Sequence, residues 1–401
     1  MSALRLYFIP MNKIEFIDLG LQPLANGFMT EEDLKKLAEF YYELRVGIDV
    51  NTGLVTLMNY VDAPLMFNEH YAYHGSMSST MRAHFKDFAD RVSSELKPAK
   101  VLEIGSNDGV FLKNFSNEMA IGVEPCSNFA EITEGLGYKT YPKFWNKELV
   151  DEIKEAHGEM DIIYAANCIC HIPDLDEAFQ GVHGLLSADG HFIFEDPSLF
   201  DMINRTSYDQ IYDEHAHIFS CLALNAILSR NGLTMVKVEH LKVHGGSNRI
   251  WAKKTGTPDA SVALAIAEEK FFGLNDLRTF QKFAQDVERS KRELVFILER
   301  AKDAGLNVAG YGATSKSTTV YNYCGIGPSL IPFITDTTPS KIGKKTPGTL
   351  IPIIDRSTLE KPVHIFYLGA WNFIDEIMKK ESEFVTNGGR FLTHVPKVML
   401  M

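Results

Sequence analysis

Residues 101–109 read VLEIGSNDG. Val101, Leu102 and Ile104 form a short apolar run suited to a buried strand, and Gly105 and Gly109 bracket the small polar residues Ser106, Asn107 and Asp108. Glycine at such a turn lets a ligand approach the backbone, and a helix over the following VFLKNF would offer free N–H groups. About twenty residues on, a second strand ends in Glu124, where a carboxylate can accept hydrogen bonds from both hydroxyls of a ribose. The spacing from Glu103 is E-x-G-x-x-x-G, not the G-x-G-x-x-G of a dinucleotide turn, and Asp108 would repel a pyrophosphate. An acidic loop suits a ligand with a cationic centre and a zwitterionic tail, and S-adenosylmethionine (SAM) has both. The competing reading is a ligand-free strand-to-helix turn.

Outward from this turn, the strand-like segments AIGVEP, DIIYAA and GHFIFED alternate with helical ones to about residue 255. That alternation is the mark of a mostly parallel sheet covered by helices. Met81, Phe85, Phe88 and Val92 lie at helical steps within 76–96, whereas residues 1–75 read as irregular. One long helical tract is expected over 262–304, with Leu277, Phe280, Phe283, Val287, Leu294 and Leu298 on its buried face. A second α/β unit opens at NVAGYGATSKSTTVYNY. The fold class expected is α/β: an N-terminal lobe (1–75), a central Rossmann-like domain (76–255), a helical connector (256–305) and a C-terminal α/β Rossmann-like domain (306–401). In GYGATSKS only Gly310 and Gly312 fit an NAD fingerprint, which makes that match weak.

The 401 residues suit two or three domains, and a net charge of −12 argues against a nucleic-acid partner. No apolar run reaches the roughly 20 residues that span a bilayer, and no signal peptide is read, so no membrane partner is expected. Five cysteines, sparse and odd in number, suggest free thiols in a reducing compartment, and a cytoplasmic location is expected.

The segments DLGLQPLANGF, VLEIGSNDGVFL, GVEPCSN, HIPDL, YDEHAHIFS, HGGSNRIW, GYGATSKSTT, ITDTTPSKIGKKTPGTLIPI and GAWNF occur in that order. Together they resemble the sugar C-methyltransferases that act on nucleotide-linked 4-keto-deoxy sugars, the C-3′-methyltransferase family. The resemblance covers almost the whole chain. It implies a zinc-binding N-terminal module, a central SAM domain and a C-terminal α/β domain, with the sugar nucleotide (dTDP- or GDP-linked) where they meet. It also implies that Glu103, Gly105, Ser106, Asn107, Asp108, Gly109, Glu124, Pro125 and Asn167 hold the cofactor, which leaves as S-adenosylhomocysteine. One departure stands out. The family carries two CxxC pairs for zinc, but Asp49 and Thr52 stand where the second pair should fall, and no cysteine precedes Cys126. No zinc or other metal is expected.

On this resemblance the reaction is C-methylation at C-3 of a 4-keto-6-deoxy sugar, through an enolate that needs a base and donors to the oxyanion. The stretch YDQIYDEHAHIFS (208–220) gathers two tyrosines, three carboxylates and two histidines. His215 is the expected base, with Glu214 orienting its ring or holding the imidazolium and Tyr212 donating to the C-4 oxygen. Spacing does not separate His215 from His217; the family pattern favours His215. A hydrogen-bonded helix terminus is the competing reading of the cluster. By family match Tyr73 and His171 line the same pocket, Lys316 meets the pyrophosphate, and Ser247 and Asn248 contact substrate. O- or N-methylation of a nucleotide sugar, a catalytically silent nucleotide-sugar-binding protein and, more distantly, an NAD oxidoreductase are the alternatives.

Overall fold

The computed structural model describes residues 12–71, 73–359 and 362–401. Its central sheet has seven strands, in the order Thr234–Leu241, Ser247–Lys253, Leu186–Pro197, Met160–Ala166, Val101–Ile104, Ala120–Val123 and Lys139–Tyr141. Every neighbouring pair is parallel except those made by Ser247–Lys253, which runs antiparallel to both of its neighbours. All four residues of Val101–Ile104 are buried, as a strand covered on both faces requires. Chain order reverses between Val101–Ile104 and Met160–Ala166, and ligands of such sheets bind outside the strand ends at that switch. Helix Ser79–Leu96 covers one face, burying Met81, Phe85, Phe88 and Val92 on the stripe read from sequence.

The turn at 105–111 does not lead into an α-helix. Only a 3-10 turn forms, at Leu112–Asn114. The Asn114 amide donates to the carbonyls of Val110 and Phe111 (3.0 and 2.9 Å), competing for the acceptors that a continuing helix would use.

The N-terminal residues, read from sequence as irregular, form an antiparallel sheet instead. Its strands are Lys13–Pro23, Tyr41–Asp49, Val55–Leu57 and, taken from the middle of the chain, His217–Ile218. Gly20, at φ +74°, lies in a register shift between Asp18 and Leu21, so the turn-like residues bend a strand and do not end it. Where zinc cysteines would sit, Asp49 Oδ1 accepts from the backbone N–H groups of Asn51 and Thr52 (2.8 and 2.9 Å) and closes the hairpin itself.

The helical tract is two helices, Ala260–Phe272 and Leu277–Asp303, divided at Gly273 (φ +95°) and restarted by the Asp276 cap. Phe280, Phe283, Val287, Leu294 and Leu298 of the second join one core with the N-terminal sheet and the C-terminal domain, while Leu277 stays exposed. The C-terminal sheet runs Ile353–Asp355, Ile334–Asp336, Val308–Tyr311, Ile365–Leu368, Arg390–Thr393 and Met399–Leu400, parallel except for the last. This is again a doubly wound order with its own switch, between Val308–Tyr311 and Ile365–Leu368. Among the described residues, no helix is long and apolar enough to cross a membrane.

Candidate active site where three domains meet

A cavity of about 1440 Å³ joins the two switch points beneath the N-terminal lobe. On the central-sheet side it is lined by Glu103, Gly105, Ser106, Asn107, Glu124, Pro125 and Asn167. Glu124 is buried, and its two oxygens accept from the backbone N–H of Asn107 (2.7 Å) and Cys126 (2.9 Å), which fixes the carboxylate at the mouth of the turn. A Cβ on Gly105, at φ +72°, would stand 2.7 Å from Cys168 Sγ. The buried Glu103 Oε2 and Ser106 Oγ have no partner among the described residues. Burial, with Glu124 and Asp108 nearby, pushes the Glu103 carboxyl far above its usual range. A cationic ligand with hydroxyls fits these groups, as SAM would.

Two of the expected contacts lie elsewhere. Asp108 is turned away from the cavity: both its oxygens accept from Ser76 N–H (3.2 and 3.1 Å). Gly109 is needed for packing, since a Cβ there would meet Thr133 at 2.9 Å. Asn107 combines both roles, with its backbone at Glu124 and its side chain bonded to Gly75 N–H and the Tyr73 carbonyl. Residues 73–76 are thereby clasped over the turn, and Tyr73 joins the cavity wall.

The 208–220 stretch brings Tyr212, Glu214 and His215 to the same cavity. His215 Nδ1 lies 2.7 Å from the Gln210 backbone carbonyl, which can only accept, so Nδ1 carries the proton and Nε2 is the acceptor. Tyr212 OH donates to that Nε2 at 2.9 Å. The role assigned to Glu214 needs correction: its oxygens accept from Asn26 Nδ2 (2.5 Å) and Tyr71 OH (2.9 Å), not from the His215 ring. Glu214 therefore ties the N-terminal lobe to the site, and Gln210 orients the imidazole. Burial, then His171 and Lys316, hold the His215 pKa well below that of an ordinary histidine. Burial also raises the Glu214 carboxyl.

His171 stacks between Phe67 and His215, with centroids 5.3 and 5.4 Å away, and burial lowers its pKa to about 4. His217 also lines the cavity, with its Nε2 donating to the Pro173 carbonyl (3.2 Å) and its ring beyond reach of the Tyr212–His215 pair. Lys316, at the start of helix Ser315–Cys324, reaches the cavity from the C-terminal side. Ser247 and Asn248 do not line it. They belong to the antiparallel strand, with Ser247 Oγ on the Val243 carbonyl and Asn248 on Cys221 Sγ; His244 is the residue of that motif on the wall. Asn26, Tyr71, Gln210 and His244 were missed. PLANGF and HGGSNRIW carried the signal for Asn26 and His244, but nothing local marks Gln210. Cys170, His171 and His215 bring one donor atom each within 4.8 Å, yet both His215 nitrogens are engaged and the two rings lie nearly parallel (23°).

Residues 242–396 match the family described as "C-methyltransferase C-terminal domain", and 74–238 match "Methyltransferase domain". C-methyltransferase NovU of Streptomyces niveus is 32% identical over 393 residues, spanning 96% of this chain and 93% of that protein. This chain belongs to the C-methyltransferase family. It is a SAM-dependent C-methyltransferase, with the Rossmann-like fold such enzymes use. Two solved structures are similar over part of the C-methyltransferase. The CurJ carbon methyltransferase is 15% identical, with a TM-score of 0.34 and coverage of 47% of this chain and 57% of its own. A SAM-dependent methyltransferase from Clostridium acetobutylicum is 14% identical, also at 0.34, covering 44% and 92%. Residues 11–67 match a family described as "Putative zinc binding domain", but they contain neither cysteine nor histidine. The thiolate and imidazole donors that hold structural zinc are absent from that segment, so its residues do not fit the ion.

Proposed function

We propose that this C-methyltransferase places a methyl group on C-3 of a nucleotide-linked 4-keto-6-deoxy sugar after His215 removes the C-3 proton. The observation that carries the reading is the His215 tautomer. With Nδ1–H given to Gln210, Nε2 is the accepting nitrogen, bonded to Tyr212 OH, of a ring that lines a cavity walled also by the cofactor turn and Lys316. Bound SAM supplies an electrophilic methyl. The ketone at C-4 acidifies the neighbouring C–H. As that bond breaks, the proton passes to Nε2 and the electron pair becomes an enolate; its carbon would take the methyl as the sulfonium carbon–sulfur bond breaks, with the electron pair going to sulfur and S-adenosylhomocysteine leaving. Tyr212 gives up its bond to Nε2 and donates to the C-4 oxygen, where negative charge develops.

The low pKa of His215 keeps the ring neutral and ready to accept, though it disfavours the imidazolium formed next. A diphosphate against Lys316 offsets the cation that contributes to that lowering. The 103–107 turn with Glu124, Pro125 and Asn167 thus serves the donor, 208–215 the proton, and Lys316 the anionic end of a dTDP- or GDP-linked acceptor. The protein has five free thiols, which suits a cytoplasmic enzyme.

The test is incubation with SAM and a panel of dTDP- and GDP-linked 4-keto sugars, with products read by mass and NMR. A C-methyl at C-3, and loss of C-3 deuterium exchange in His215→Asn, are expected. Turnover of a 4-hydroxy sugar at an oxygen would replace the reading with O-methylation, and absence of any turnover with bound nucleotide sugar would make the protein a binder.

A further inference from the structure

The base lies in a loop held from the C-terminal domain. Asp209, in the 3-10 turn Tyr208–Gln210, is fully buried. Its Oδ2 accepts from Trp371 Nε1 at 2.5 Å, and its Oδ1 lies 3.6 Å from His394 Nε2. Burial opposes its charge, yet His394, Lys316 and the Trp371 indole together keep its carboxyl below the usual range. The same indole covers Gly245 so closely that a Cβ there would stand 2.3 Å from the ring. Gly245 follows His244, a non-glycine residue held at φ +53°, whose carbonyl accepts from Gln210 Nε2 at 2.8 Å. Strained backbone of this kind persists only where its surroundings enforce it. Thr319 Oγ1 adds a bond to the Ile211 carbonyl (2.9 Å).

One side chain therefore grips both anchors of Gln210: the residue before it in the chain, and the loop that receives its amide. The Gln210 carbonyl is the group that takes His215 Nδ1–H. We infer that Trp371 is a positioning residue for His215, setting through Asp209, the 243–246 loop and Gln210 which ring nitrogen carries the proton and where the other points. A C-terminal domain residue thus completes a base that sequence order assigns to the central domain. The inference rests on the proposal that His215 is the base.

Trp371→Phe keeps an aromatic ring over Gly245 and removes the N–H. Steady-state kinetics, SAM calorimetry and C-3 deuterium exchange of the 4-keto substrate test it. The expected result is a fall in kcat and in exchange by roughly 10- to 100-fold, the scale on which losing a partner that orients a functional histidine acts. KM for the acceptor and SAM affinity stay within about threefold, a split that general loosening of the fold would not give. In a His215→Asn background the same change causes no further loss, because two residues acting through one group are non-additive. Exchange within twofold of wild type, or an equal loss in both backgrounds, would overturn the inference. Should Trp371→Phe fail to fold, Asp209→Asn is expected to give the same split, and its absence there counts equally against the inference. Full exchange in His215→Asn alone would instead remove the base assignment.

Discussion

The two doubly wound sheets build the same feature twice. At the end of the second strand of the central sheet, Glu124 accepts from Asn107 N–H in the loop after the first strand and from Cys126 N–H two residues on. In the C-terminal sheet, Asp336 accepts from Ala313 N–H (2.7 Å) and Thr338 N–H (2.7 Å) at the matching positions. Both loops line the one cavity. What differs is the charge presented beside them. The central loop has Glu103 and Glu124 and no lysine or arginine within 101–109, whereas the C-terminal loop runs into Lys316, with Lys341 donating to the Ala313 carbonyl at 2.7 Å. Backbone order makes a seat in each case, and a few side chains decide whether a cation or an anion suits it.

The largest break in that comparison should come from the residue between the seats. His215→Asn is expected to lower kcat by about 10²- to 10⁴-fold in single-turnover assays while SAM calorimetry stays unchanged, since a general base acts on chemistry and not on donor binding. A smaller effect should separate the seats themselves. Glu124→Ala is expected to weaken SAM binding by roughly 10- to 100-fold, the equivalent of about 1.5–3 kcal/mol for hydrogen bonds to a charged group, and Asp336→Ala should spare it. Titration of each variant with SAM and with free nucleotide measures both arms, and equal damage to both ligands would show the seats to be coupled. Lys316→Met should raise the acceptor KM about tenfold and flatten its salt dependence, with no change for SAM.

The finest distinction is in pH. As the proposed base His215 must be neutral, and its lowered pKa keeps it so below the usual histidine value of about 6.5. Activity of the free enzyme should therefore persist below that pH and be lost only as pH falls through the lowered value, seen as the acid limb of kcat/KM. Because Lys316 contributes to the lowering, Lys316→Met should move that limb to higher pH; a limb that stays still would mean burial and His171 act alone.

Legibility from sequence followed the range of the interaction. Period and composition exposed Val101–Ile104, the buried stripe of Ser79–Leu96 and the start of the C-terminal unit, because those depend on neighbours a few residues away. The missing helix after Gly109 and the strand through Gly20 were misread for a related reason: side-chain bonds by Asn114 and pairing with Tyr41–Asp49 outweighed local preference. At the site, more of the expected residues line the cavity than have the partners expected of them. Adjacency suggested that Glu214 served His215, yet Glu214 bonds Asn26 and Tyr71, 188 and 143 residues away in the chain.

The sequence by itself determined two α/β units, a glycine-bracketed turn with a carboxylate placed for a nucleoside, an N-terminal lobe without zinc ligands, and a histidine-rich segment between them. Only the tertiary structure decided that the His215 imidazole is oriented by a backbone carbonyl, that Asp108 faces a clasping strap, and that Trp371 bonds Asp209 from 162 residues away. Spacing along a chain fixes which groups exist and which face they share. Which atom a hydrogen bond finally reaches depends on the directions of two side chains brought together from distant parts of that chain, and packing alone sets those.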